Sequence, residues 1–96
     1  MVTRESIQQM RDAIIELARH HGASNIRLFG SVARGDATES SDVDLIVRFD
    51  PSRSLFDHGG LIVDLEELLG VKVDVASQAG MRERFRDHVM KDVIPL

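Results

Sequence analysis

The chain has 96 residues, room for one domain and not for two, and its 43% hydrophobic and 29% charged residues are the balance of a soluble globular protein. A formal net charge of −4 disfavours a surface that holds nucleic acid by its phosphates, because counterion release needs clustered Lys and Arg. Cys is absent, which excludes disulfides and thiolate metal sites; no apolar run approaches the ~18 residues of a membrane span, and Met1-Val2-Thr3-Arg4-Glu5 is not a signal peptide, so the expectation is a cytoplasmic protein without membrane association.

Residues 3–21 read as one helix. Thr3 is a fitting N-cap, Ile7, Met10, Ile14, Leu17 and Ala18 recur at helical spacing, and Gly22 supplies the stop. The apolar stripe predicts a cover for one face of a sheet. Residues 25–29 predict a strand, with Ile26 and Leu28 alternating around Arg27. Gly30-Ser31-Val32-Ala33-Arg34-Gly35-Asp36 predicts a small turn and a short helix that Gly35 ends, followed by a polar loop over 37–41.

Residues 42–49 form the clearest strand. Val43, Leu45, Val47 and Phe49 share one face; Asp42, Asp44, Ile46 and Arg48 share the other. Asp50-Pro51-Ser52 breaks it. A second long helix is expected over 55–69, with an irregular start at Gly59-Gly60 and an apolar stripe of Leu61, Ile62, Leu65, Leu68 and Leu69 ended by Gly70. A third strand over 71–76 sets Val71, Val73 and Val75 against Lys72, Asp74 and Ala76. A charged helix over 81–91 and a short edge strand at Val93-Ile94 complete the chain, with Pro95 confined to an edge or end. The long helical connection between strands two and three favours parallel pairing; the short one between strands one and two favours antiparallel pairing. The fold class expected is therefore α/β (α+β): a small mixed sheet with helices on one face, forming a single domain over residues 1–96.

Three carboxylates stand where a simple core would not put them. Asp42 and Asp44 point the same way, roughly 6.5–7 Å apart along a strand. Parallel pairing of strands two and three would bring Asp74 to them. Like charges so crowded need a cation or a proton. Two divalent ions ~3.5–4 Å apart would suit them, and Mg²⁺ favours a few carboxylates completed by substrate phosphates. Gly30 permits a tight turn and a close approach to a ligand, and Ser31 opens a helix whose first N–H groups favour an anion. Antiparallel pairing places Ser31 beside Asp42 and Asp44. Taken singly, a Gly-Ser step is most often a turn, an Asp-x-Asp pair a loop feature, and Asp74 an edge residue. The combination on matched faces points to phosphate and metal.

Gly30-Ser31, ten intervening residues and Asp42-Val43-Asp44 resemble the G-S-x10-D-x-D signature of the DNA-polymerase-β-like nucleotidyltransferases. The fuller run through Leu45 resembles the minimal nucleotidyltransferase (MNT) group, and Lys72-Val73-Asp74-Val75 is similar to that group's third-carboxylate strand. The resemblance implies that Asp42 and Asp44 bind two Mg²⁺ ions. It implies that Asp74 binds the catalytic one and helps deprotonate the attacking hydroxyl. Ser31 and the Gly30 backbone would hold the β- and γ-phosphates of ATP, with Arg34 reaching a phosphate. The reaction would be in-line attack on the α-phosphorus with release of pyrophosphate.

These 96 residues are not expected to hold the acceptor or template domains of larger relatives. Minimal members resembling it occur with a HEPN-domain ribonuclease toxin, and members acting as antitoxins move AMP to a tyrosine of that partner. The resemblance thus implies a protein adenylyltransferase antitoxin; this chain has no Tyr of its own. Two alternatives stand beside it: an acidic antitoxin that neutralises by binding alone, and nucleotidyl transfer to a small-molecule hydroxyl. Elsewhere, Arg82, Arg84 and Arg86 do not form one stripe. His20, His21, His58 and His88 lack metal-ligand spacing, Asp36 is expected to brace its turn, and Phe49 and Phe85 are expected in the core.

Overall fold

The computed structural model describes residues 1–96. Its elements are α1 (Arg4–Gln9), α2 (Arg11–His20), β1 (Ala23–Phe29), α3 (Gly30–Arg34), β2 (Val43–Phe49), α4 (Leu55–Leu69), β3 (Val73–Ser77), α5 (Glu83–Val89) and β4 (Ile94–Pro95), with a 3-10 turn at Gln78–Gly80 between β3 and α5. The sheet order is β3-β2-β1-β4. β2 and β3 run parallel, while β1 is antiparallel to both β2 and β4. The mixed sheet expected from the connection lengths is the one observed.

The first helix is two. Thr3 caps α1 through a capping box in which its hydroxyl accepts from the Ser6 amide and Ser6 Oγ accepts from the Thr3 amide. At Met10 the backbone leaves helical values (φ −98°, ψ 10°), and the Met10 N–H is shared between the Ser6 and Ile7 carbonyls. This local tightening divides the predicted single helix without a Pro or Gly. Ile7, Ile14 and Ala18 still reach zero exposure on one side.

β1 starts two residues earlier than expected. Ser24-Asn25 carries turn chemistry, and Asn25 does occupy the left-handed region (φ 54°), but as a bulge within the strand. β2 starts at Val43, leaving Asp42 just ahead of it, and β3 lies later than the predicted 71–76. α4 has no irregularity at Gly59-Gly60. A capping box from Ser54 and Asp57 starts it cleanly, and Gly60 is where the His21 ring packs, since a Cβ there would come within 2.8 Å of that ring. His21 Nε2 then donates to Asp64 Oδ2 at 2.6 Å, tying the end of α2 to α4.

The main core lies between α1, α2 and α4 and one sheet face. Ile14, Leu61 and Leu65 meet Leu28, Leu45, Val47, Val73 and Val75 there. Burying one such leucine contributes about 1.5–3 kcal/mol. The opposite face carries Phe29, Asp44, Ile46, Asp74 and Ala76, as the register dictates. Val89 of α5 covers Phe29 and Ile46, and the carboxylates lie beyond it toward solvent.

Candidate active site

β1 ends at Phe29, which pairs with Asp44, so the Gly30-Ser31 turn leaves the sheet beside the start of β2. Gly30 has φ +76°. A side chain there would be strained, and its Cβ would collide with the Asp44 carboxylate, lying 3.2 Å from Cγ. Backbone freedom and close approach are thus both required at this one residue. Gly35, also left-handed (φ +81°), ends α3, and the Asp36 amide closes the turn on the Ser31 carbonyl at 3.1 Å.

Asp44 and Asp74 stand directly opposite on the parallel pair β2/β3. Side chains in register on adjacent strands project the same way from backbones about 4.8 Å apart. Asp42 precedes Asp44 by two positions and is exposed, as is Asp74, while Asp44 is half-buried. The electrostatics register the crowding. Burial is the main cause that lifts the Asp44 carboxyl above its ordinary range, Asp74 and then Asp42 add to it, and Arg34 pulls the other way.

The expected site residues therefore come together at one corner of the sheet: Gly30, Ser31, Asp42, Asp44 and Asp74, with the Arg34 guanidinium near enough to be felt. Arg34 is exposed and pairs with Asp36 at 3.3 Å, which also accounts for Asp36 as a brace of the turn. No three acidic or imidazole side chains stand close enough to hold a metal ion by themselves, this corner included. An open, all-oxygen donor set with unrelieved like charge fits a hard divalent cation that shares its coordination with a phosphate-bearing substrate.

Two residues to which the sequence reading gave no role, Glu66 and His58, brace the strand on either side of Asp74. β3 is an edge strand, and its outward groups are met by α4: Glu66 Oε2 accepts from the Val73 amide at 3.1 Å, and His58 Nε2 donates to the Val75 carbonyl at 2.6 Å. Helical spacing alone could not announce these bonds, because they depend on how α4 lies along the strand. Arg27, around which Ile26 and Leu28 alternate, is buried; its Nη2 donates to Gln78 Oε1 at 2.6 Å and its Nε to the Asn25 carbonyl at 3.1 Å. Burial, then the neighbouring Arg86, lowers its pKa. Phe85 corrects an expectation. It is half exposed rather than in the core, because α5 buries only Val89. Phe49 is half-buried against the main core and tilts over His58, with ring centroids 5.1 Å apart.

The chain was compared with known proteins. It is similar to the protein adenylyltransferase MntA of Thermococcus cleftensis, with 36% identity over 95 residues covering 98% of this chain and 96% of that one. It superposes on the solved structure of a presumed minimal nucleotidyltransferase with a TM-score of 0.88 and 46% identity, covering 99% and 97% of the two chains. The fold is also that of a chain in the complex of the tri-AMPylated Shewanella oneidensis HEPN toxin with its MNT antitoxin. There the TM-score is 0.71 at 21% identity, covering 92% of this chain and 69% of that one. The model of the nucleotidyltransferase domain matches residues 7–95, spanning every strand of the sheet and the whole carboxylate corner. The chain belongs to the nucleotidyltransferase domain family and, within it, to the minimal nucleotidyltransferases.

Proposed function

We propose that this nucleotidyltransferase, as a single domain over residues 1–96, is a Mg²⁺-dependent protein adenylyltransferase. It moves AMP from ATP to a tyrosine hydroxyl of a HEPN-type ribonuclease in the cytoplasm, and so acts as that toxin's antitoxin. The observation that carries the reading is the register that sets Asp44 opposite Asp74 with Gly30-Ser31 alongside. The relative named a protein adenylyltransferase and the AMPylated HEPN complex of the structural neighbour support the acceptor class.

Two Mg²⁺ ions held by Asp42, Asp44 and Asp74 would supply charge neutralisation at the α-phosphate and the leaving pyrophosphate. The chain's own groups do the rest. Ser31 Oγ and the amides of the Gly30-Ser31 turn bind the β- and γ-phosphates, and Arg34 can leave Asp36 to assist them. Asp42 and Asp44 would hold the ions against which the α-phosphate is aligned. Asp74 accepts the proton of the attacking hydroxyl.

The test is transfer of label from α-labelled ATP, with Mg²⁺, to the protein encoded beside this chain, with mass spectrometry of both proteins. AMP on a partner tyrosine, lost in an Asp42→Asn, Asp44→Asn double variant, is the expected result. No label, together with full neutralisation by the double variant, would replace this reading by neutralisation through binding.

A further inference from the structure

In-line displacement puts the entering hydroxyl and the departing pyrophosphate on opposite sides of the α-phosphorus. The strand order gives those sides an address. Gly30-Ser31 lies on the β1 side of Asp44, and Asp74 lies on the β3 side. With the phosphates at Ser31, the hydroxyl must arrive over β3.

A cavity of about 580 Å³ lies at that edge, lined by His58, Ala76, Ser77, Met81, Arg82 and Phe85 among others. Ala76 follows Asp74 by two positions on the same sheet face, about 6.5 Å along the strand. The volume is that of a small-molecule or side-chain pocket. Its lining is mostly apolar, and its one permanently charged residue, Arg82, is a cation.

The surroundings say how the acceptor is presented. Leu55 and Phe56 are 86% and 91% exposed in the first turn of α4, and Phe85 is half exposed on α5. Leu55 is one helical turn before His58, on the same side of α4. Large exposed apolar side chains such as Leu55 and Phe85, on the two helices that wall the cavity, are the mark of a protein contact. A phenol is a far stronger acid than an aliphatic hydroxyl and gives up its proton more readily to a weak base. A guanidinium at the cavity wall would favour the phenolate further.

We propose that this cavity is the acceptor subsite, taking the phenol ring of a tyrosine on a partner protein that docks on Leu55 and Phe85. The inference rests on the adenylyl-transfer reading. In the step, the phenol oxygen bonds to the α-phosphorus. The bond from that phosphorus to the bridging oxygen breaks, pyrophosphate leaves with the electron pair, and the phenol proton passes to Asp74 and then to water.

The test compares wild type with Met81→Ala, Phe85→Ala and Leu55→Ser, the last at a surface position that leaves packing untouched. Initial rates are measured with the purified HEPN-type partner as acceptor, beside titration with a non-hydrolysable ATP analogue and Mg²⁺. The expected result is a rise of about tenfold or more in the KM for the acceptor in all three variants, with analogue affinity within about twofold of wild type. Analogue affinity falling in step would make the cavity the site of the nucleotide's base and overturn the proposal. Transfer by wild type with unchanged acceptor KM in the variants would remove the subsite alone. Absence of transfer by wild type would remove the adenylyl-transfer reading and the subsite with it.

Discussion

Replacing Gly30 by Ala separates what a glycine does for the backbone from what it does for the site. Gly30 and Gly70 have nearly the same left-handed conformation, φ +76° and +71°. A Cβ at Gly70 would meet nothing within 4 Å; at Gly30 it would run into the Asp44 carboxylate. Forcing an L side chain into this region costs about 1–2 kcal/mol at either position. Gly30→Ala must also push Asp44 off its rotamer, adding about 0.5–1.5 kcal/mol. Urea unfolding should therefore give a loss of about 1–2 kcal/mol for Gly70→Ala and about 1.5–3.5 kcal/mol for Gly30→Ala. In the transfer assay the two should part widely. A misplacement of about 1 Å in a reacting constellation can cost ~100-fold, so Gly30→Ala should lose about that much while Gly70→Ala stays within about threefold. Equal activity losses in the two variants, or a Gly30→Ala enzyme within threefold of wild type, would refute the role given to the Gly30–Asp44 contact.

Asp44→Asn should abolish transfer and leave the metal-free protein as stable or slightly more stable at neutral pH. The Asp44 pKa is raised by burial, Asp74 and Asp42. A raised acid loses stability as pH climbs through its folded value, so melting of the variant should be flatter with pH there; a clear fall in melting temperature without Mg²⁺ would count against the charge cluster. Ser31→Ala should weaken binding of a non-hydrolysable triphosphate by roughly 10- to 100-fold, the value of one hydrogen bond to a charged group, and an unchanged titration would remove Ser31 from the phosphate site. Leu61→Ala, at a position with no exposure, should cost about 2–5 kcal/mol by urea unfolding, and a loss under 1 kcal/mol would mean that Leu61 lies outside the core.

The candidate site was more legible than the details of the fold around it. Asp42, Asp44 and Asp74 could be aligned in advance because strand alternation has period two and the connections dictate parallel and antiparallel neighbours. The Gly30-Ser31 turn followed from the same pairing. What escaped depends on tertiary geometry. Ser24-Asn25 has the chemistry of a turn and became a bulge inside β1. Gly59-Gly60 has the chemistry of a helix break, yet α4 runs through it, and Gly60 serves the fit of His21. Nothing in the strand alternation announces that Arg27 is buried, held by Gln78 of the 3-10 turn and by Met90 just after α5. Phe85 reads as core, but α5 buries its other side. Pattern sets the face of a residue; only packing decides whether a face is covered.

The central claim is that Asp42, Asp44 and Asp74, with Gly30 and Ser31, form one metal–nucleotide site. Amide NMR of the protein with substoichiometric Mn²⁺ and a non-hydrolysable ATP analogue tests this most directly. The account predicts selective broadening centred on Gly30, Ser31, Val43, Asp44 and Asp74, abolished in the Asp42→Asn, Asp44→Asn variant. Broadening centred on other acidic surface such as Glu16 and Glu67, or broadening unchanged in the double variant, would contradict it.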